Sequence, residues 1–271
     1  MSPKGNADRT IYDDFDPEAP ETTEFRRVYA RITGRSQTDR MRTLLFTSAE
    51  RGEGKTTSSV LFSMVSAMHQ GARTCLVDAD LHRPRIDKML DVPREPGLAE
   101  VLAENYSIET GIKSTRHENL KVIPAGGRRP YPSELLQPDA LAATIGKLRL
   151  LFDLIVIDAP PLLPVSDPAI LAREVDGVVL VVRAGKTRRD VVLRGKKILE
   201  DVGAKMIGVI VNNADDVLPY HYGHQYYRYS YAQDEPARDK EERRRRAEQR
   251  AKIGQGEPKK VTRTGPSGPK E

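Results

Sequence analysis

The chain has 271 residues, 38% of them hydrophobic, a net charge of +5 and a single cysteine, Cys75. Residues 232–271 hold twelve Lys and Arg against eight Asp and Glu, which leaves only about +1 for the rest and gives a nucleic-acid-binding groove on the core no support. One cysteine excludes an internal disulfide framework, and no apolar run approaches the roughly 18 residues that span a bilayer. With no secretory signal in view, a cytoplasmic protein is expected, and any membrane location must come through a partner.

In chain order, residues 1–20 are rich in Asp and Pro, lack periodic hydrophobicity and read as a flexible arm. Residues 21–33 have helical spacing, with Glu24, Arg27 and Arg31 on one face. Leu44–Thr47 reads as a buried strand, followed by a glycine-containing loop and a helix from about Lys55 to Gln70. Further strands are expected at Thr74–Val77, Leu120–Ile123, Leu154–Ile157, Gly177–Val182 and Ile207–Val211. Helices are expected near Ile86–Leu90 and over residues 139–151, Pro168–Glu174 and Arg189–Val202, with a further stretch around Leu98–Asn105. Short apolar runs alternating with helices predict an α/β fold: a mostly parallel sheet with helices on both faces. The domain is expected to span 21–218. A tyrosine cluster follows at 219–231, and a charged tail over 232–271 reads as disordered.

The loop Ala49-Glu50-Arg51-Gly52-Glu53-Gly54-Lys55-Thr56 fits the phosphate-loop pattern, with Ala49 in place of the first glycine. Gly52 and Gly54 let backbone N–H groups turn inward around phosphate oxygens, and the following helix N-terminus adds partial positive charge. Lys55 would reach the β- and γ-phosphates of ATP, and the Thr56 hydroxyl would ligate Mg2+. Three aspartates stand at strand ends, Asp78 and Asp80 after the second strand and Asp158 after Leu154–Ile157. That is the ligand-binding end of an open α/β sheet. Magnesium wants a few hard oxygens beside the nucleotide's own phosphates, and these carboxylates supply them.

Three runs carry a family resemblance. Phe46-Thr47-Ser48-Ala49-Glu50-Arg51-Gly52-Glu53-Gly54-Lys55-Thr56-Thr57, Val77-Asp78-Ala79-Asp80-Leu81-His82-Arg83-Pro84 and Val156-Ile157-Asp158-Ala159-Pro160-Pro161 resemble the Walker A, A′ and B motifs of bacterial tyrosine kinases, in the stand-alone cytoplasmic type of capsule and exopolysaccharide synthesis. Tyr131–Leu136 and Val182–Thr187 resemble the segments between them. The resemblance implies a phosphate-loop kinase fold in which Gly52, Glu53, Gly54, Lys55, Thr56 and Thr57 bind nucleotide. Thr56, Asp80 and Asp158 arrange Mg2+, and Asp78 is the candidate to accept the tyrosine proton, a role Asp80 could exchange with it. Arg83 would stabilise transferred charge or cap a helix. Asn212 and Asn213 resemble the family's adenine-side residues and equally suit a loop.

The resemblance further implies autophosphorylation, in trans, of Tyr220, Tyr222, Tyr226, Tyr227, Tyr229 and Tyr231, six of the chain's ten tyrosines within twelve residues. Its partners would be a membrane polysaccharide co-polymerase activator of Wzz-like type, recruiting it to the inner membrane face, and a cognate tyrosine phosphatase. The family's first helix reads Glu-x-x-Arg-x-x-Arg and packs subunits into a ring. Here Glu24 and Arg27 match, Ala30 takes the next position and Arg31 comes one residue late.

Each phosphate adds about −1.5 to −2 charge, so a modified tail is expected to be repelled by the acidic triad. Arg243–Arg246 could pair with these phosphates or form a solvated run. The tyrosines themselves could instead add a strand to a sheet edge, stack bases, or sit beside a His221–His224 metal site. A partitioning or Min-type ATPase, or a nucleotide-dependent switch, is the alternative function. The first carries an extra lysine five residues before the loop lysine, where this chain has Glu50.

Overall fold

The computed structural model describes residues 10–33, 41–69 and 71–214. The six tail tyrosines, His221 and His224, Arg243–Arg246 and the whole of 232–271 lie outside them.

Five apolar runs, each too short for a helix and rich in Leu, Ile and Val, form the centre of a seven-stranded sheet. These are β1 (Thr43–Ser48), β2 (Thr74–Asp78), β4 (Leu120–Ile123), β5 (Leu154–Asp158) and β6 (Gly177–Arg183); β3 (Lys113–Ser114) and β7 (Met206–Asn212) form the edges. The order is β3-β4-β2-β5-β1-β6-β7, parallel throughout except for the short β3–β4 pairing. Successive side chains go to opposite faces. Leu44, Phe46, Leu76, Val156, Val179 and Val181 join one core layer, and Leu45, Val77, Ile155, Ile157, Val178 and Leu180 join the other.

The first layer is covered by α2 (Pro20–Thr33) packed on α3 (Lys55–His69), through Tyr29, Val60, Phe62 and Met64. The second is covered by α5 (Leu98–Leu102), α7 (Pro138–Leu151) and α9 (Arg189–Asp201), through Leu98, Leu141, Ile145, Leu148 and Leu199. α4 (Ile86–Met89) and α8 (Asp167–Leu171) are single turns beside the carboxyl ends of the strands. Cys75 is buried in β2, and burial pushes its thiol up. Among the described residues no helix is long and apolar enough to cross a membrane.

β5 lies between β2 and β1, and the register places Asp78 opposite Asp158 and Asp158 opposite Phe46. The fold therefore brings two strand-end acids and the loop after Ser48 to one place.

From Thr10 onward the arm expected over 1–20 is packed. α1 (Ile11–Asp14) is closed by Asp13 Oδ2, which accepts from the Thr10 N–H (2.8 Å) and hydroxyl (2.9 Å). Ile11, Tyr12 and Phe15 pack against the first core layer. The Tyr12 ring lies 5.3 Å from His117 and beneath Arg116 at 4.9 Å. Three apolar residues over one short turn show no period, so the segment is held by tertiary contacts that a pattern reading does not register. The short α6 (Ile108–Gly111), β3 and the 3-10 turn Pro132–Leu135 escaped for the same reason.

Candidate active site

The loop between β1 and α3 needs left-handed backbone at Gly52 (φ 78°) and Gly54 (φ 95°). It is held from behind. Glu53, only 3% exposed, turns its carboxylate away from solvent; Oε2 accepts the Glu50 N–H at 2.7 Å and Oε1 accepts the Thr187 hydroxyl. Asn212, the last residue of β7, donates its amide to the Glu53 carbonyl at 3.0 Å and accepts the Asn213 N–H at 2.9 Å. A Cβ on Gly54 would stand 1.9 Å from Asn212 Nδ2, so glycine is required there for close approach as well as for φ.

In front of the loop, Lys55 Nζ lies 3.0 Å from Asp80 Oδ2, 3.4 Å from Asp158 Oδ2 and 3.2 Å from Thr56 Oγ1. The Thr56 hydroxyl donates to Asp158 Oδ2 at 2.7 Å. Burial pulls the Lys55 ammonium down, but the Asp158 and Asp80 carboxylates outweigh it and hold the group above the ordinary lysine range. Burial raises Asp158 despite Lys55 and Thr56. Asp78 is fully buried, and desolvation followed by the Asp158 charge pushes it up to about 8.

The expected site residues therefore separate by position. Gly52, Gly54, Lys55, Thr56, Thr57, Asp80 and Arg83 line a cleft of about 310 Å³. Asp78 does not. Its Oδ1 accepts the Asp80 N–H and its Oδ2 the Arg85 and Ile86 N–H groups, all at 3.2 Å, so it shapes the turn that presents Asp80. Arg83 donates its backbone N–H to Asp80 Oδ1 at 3.0 Å. Asn212, Asn213 and Glu53 do not line the cleft; the first and last grip the loop.

Asp158 Oδ1 is buried with no hydrogen-bond partner, beside the Thr56 hydroxyl and Asp80. These are hard oxygen donors, and they fit magnesium. No described group of three His, Cys, Asp or Glu side chains could hold a metal unaided.

A second cluster at the cleft edge was not anticipated. Asp167, 0% exposed, meets His82 Nε2 at 3.0 Å and accepts the Ser133 hydroxyl at 2.8 Å. His82 and Ser133 both lie in quoted motif segments, but their partner is 85 and 34 residues away, beyond any spacing rule.

Residues 41–190 match the family model described as an AAA domain. Tyrosine-protein kinase YwqD of Bacillus subtilis is 30% identical over 197 residues, which cover 73% of this chain and 83% of that protein. The succinoglycan biosynthesis transport protein ExoP of Rhizobium meliloti is 34% identical over 64% of this chain, a stretch that makes up 22% of that longer protein. Among solved structures, the kinase domain of the Escherichia coli tyrosine kinase ETK superposes with a TM-score of 0.67 at 28% identity, covering 75% of this chain and 80% of that one. The septum site-determining protein MinD of Pyrococcus horikoshii, complexed with Mg-ADP, shares the fold at 24% identity and a TM-score of 0.54, covering 63% of this chain and 69% of that one.

Proposed function

The chain belongs to the bacterial tyrosine-protein kinase family, and on that premise we propose that it transfers the γ-phosphate of ATP to the tyrosines of its own 219–231 segment, one copy serving another. The observation that carries this reading is Lys55, set between Asp80 and Asp158 at the foot of the phosphate-loop cleft. Phosphoryl transfer demands positioning and charge neutralisation more than covalent chemistry. Lys55 and the loop N–H groups hold the phosphates. Magnesium, held by Thr56 and Asp158, would neutralise charge on the nucleotide.

A phenol with a pKa of about 10 keeps its proton at neutral pH, so the acceptor oxygen needs a base within hydrogen-bond reach. Asp80 faces the cleft and Asp78 does not, which favours Asp80 for that proton; the phenolic oxygen bonds to phosphorus as ADP departs. Asp78 positions Asp80. Arg83, next to it, stabilises charge on the transferred group. Asn212 and Asn213 serve the nucleotide side through the loop that Asn212 clamps. The kinase domain then includes α1, begins near Thr10 rather than at 21 and runs to about 218, with 219–231 as substrate and 232–271 as an appended tail.

The exopolysaccharide link of ExoP supports a place in capsule or exopolysaccharide synthesis, with a membrane co-polymerase as activator and recruiter and a tyrosine phosphatase for reset. Glu50 stands where a Min-type enzyme needs its extra lysine, which disfavours that alternative. A mixing experiment tests the proposal. A Lys55→Met chain is incubated with ATP, Mg2+ and an intact-site chain whose six tail tyrosines are Phe, each with a co-polymerase cytoplasmic segment present. Phosphotyrosine should appear on the Lys55→Met chain only in the mixture. Labelling of Lys55→Met alone would refute the catalytic assignment, and labelling of native chain without labelling in the mixture would refute transfer in trans.

A further inference from the structure

The acids of this site are almost wholly hidden from solvent, and only Asp80 reaches the cleft. Asp78, Asp158 and Asp80 are 0%, 1% and 7% exposed, and Lys55 sits against the latter two. At the cleft mouth the exposed charges are instead the guanidinium groups of Arg51, Arg83 and Arg85. Elsewhere Arg73, Arg129 and Arg149 are each bound to a carboxylate, Asp153, Glu100 and Asp176. Among the described residues, no carboxylate or other hydrogen-bond partner meets the side chains of Arg51, Arg83 or Arg85. Three unspent planar forks around one opening suit a phosphate, which guanidinium groups bind bidentately.

The segment that would enter this opening has no anion of its own. From 217 to 233 there is no Asp or Glu, and Arg228 is the one Lys or Arg. Unmodified, it brings like charge to a basic rim. One phosphotyrosine reverses that, adding about −1.5 to −2 charge and three acceptor oxygens. The tyrosines are spaced by one to four positions, so a phosphate on one lies within about 3 to 14 Å of chain from the next.

We propose that Arg51 and Arg85, with Arg83, form an anion subsite at the cleft mouth that binds a phosphotyrosine neighbouring the acceptor tyrosine, so that each phosphate makes the next tyrosine a better substrate. The inference rests on the kinase reading and deepens it, naming a primed tyrosine segment as the favoured substrate. It also reverses the repulsion expected from the acidic triad, because those acids are buried and compensated while the rim is cationic.

The test uses the full chain saturated with ADP and Mg2+, so that the phosphate loop is filled. Fluorescent peptides of residues 217–233, unmodified and with phosphate on Tyr229, are titrated by anisotropy. The phosphorylated peptide should bind roughly tenfold more tightly, the size of one charge-assisted bond, and the gap should narrow as salt rises. Arg51→Ala with Arg85→Ala should erase the difference, and Arg51→Lys with Arg85→Lys should restore part of it; circular dichroism and urea unfolding check that the variants fold. Equal affinities for native chain, or a gap that survives the double alanine change, would overturn the proposal. Binding needs no turnover, so failed labelling would sink the kinase reading alone, and equal peptide affinities would sink only this subsite.

Discussion

Gly54→Ala puts the architecture of the phosphate loop to a quantitative test. At φ 95° an alanine pays for left-handed backbone, about 1–2 kcal/mol. Its Cβ would also stand 1.9 Å from Asn212 Nδ2 and 3.0 Å from Cγ, so Asn212 must swing away and give up its bond to the Glu53 carbonyl. That loss and the local repacking add about 1.5 kcal/mol, for a total of about 3 kcal/mol against a whole-domain stability of roughly 5–15. Asn212→Ala alone removes only the hydrogen bond and costs about 1 kcal/mol. In the double variant the clash is gone and the strain remains, so the expected cost is about 2.5 kcal/mol rather than the additive 4, a coupling of about 1.5. Urea unfolding of the four chains, followed by circular dichroism with slopes held in common, measures each value. A double variant whose cost equals the sum of the singles within about 0.5 kcal/mol would refute the claim that Asn212 packs onto Gly54.

Two further substitutions probe charge and docking. Asp78, raised to about 8 by burial and by Asp158, keeps its proton in the folded chain at pH values where the unfolded chain has lost it. Its contribution to stability is therefore full below the usual carboxylate range and is lost as pH rises through about 8. Asp78→Asn cannot titrate, so the native chain should lose stability relative to this variant between about pH 5.5 and about pH 8.5; a constant difference would mean that Asp78 is not shifted. Tyr12→Ala removes the ring that lies on His117 and under Arg116 and should cost about 2 kcal/mol, with faster proteolysis near the N-terminus. No change in either measurement would mean that α1 is not held by its ring.

What the sequence disclosed followed the physics of each element. The buried strands were legible because each is a short run of Leu, Ile and Val between breakers, and Leu154–Asp158 could hardly be anything else. The site's front was legible too, since glycines, Lys55 and Thr56 obey local spacing and acids at strand ends converge in any parallel sheet. Its back was not. Glu53 reads as one more loop residue in the nucleotide site, yet its carboxylate faces inward to Thr187, 134 residues away. Asn212 reads as an adenine contact or a loop former and acts as a clamp on the loop backbone. Such roles depend on which strand lies beside β1, and β6 and β7 take that flank only through topology. The Asp167–His82–Ser133 cluster was hidden for the same reason.

The placement of Asn212 bears on how the tail is delivered. It ends β7 against the phosphate loop, and Tyr220 to Tyr231 follow within nineteen residues. At about 3.3 Å per residue that length extends to roughly 60 Å, so reach alone does not forbid a chain from serving its own cleft. Tail length therefore does not decide between the chain's own cleft and a neighbour's, and the proposed transfer in trans rests on the mixing experiment. Asn212 itself holds the Glu53 carbonyl and does not line the cleft, whereas Asp80, Arg51, Arg83 and Arg85 do. On the proposed reading, a phosphate anchored on the arginine rim holds the next tyrosine near Asp80 whether the tail is the chain's own or a neighbour's. The buried acids proposed for the chemistry and the exposed arginines proposed for recognition are different residues, so substitutions can test the two proposals apart.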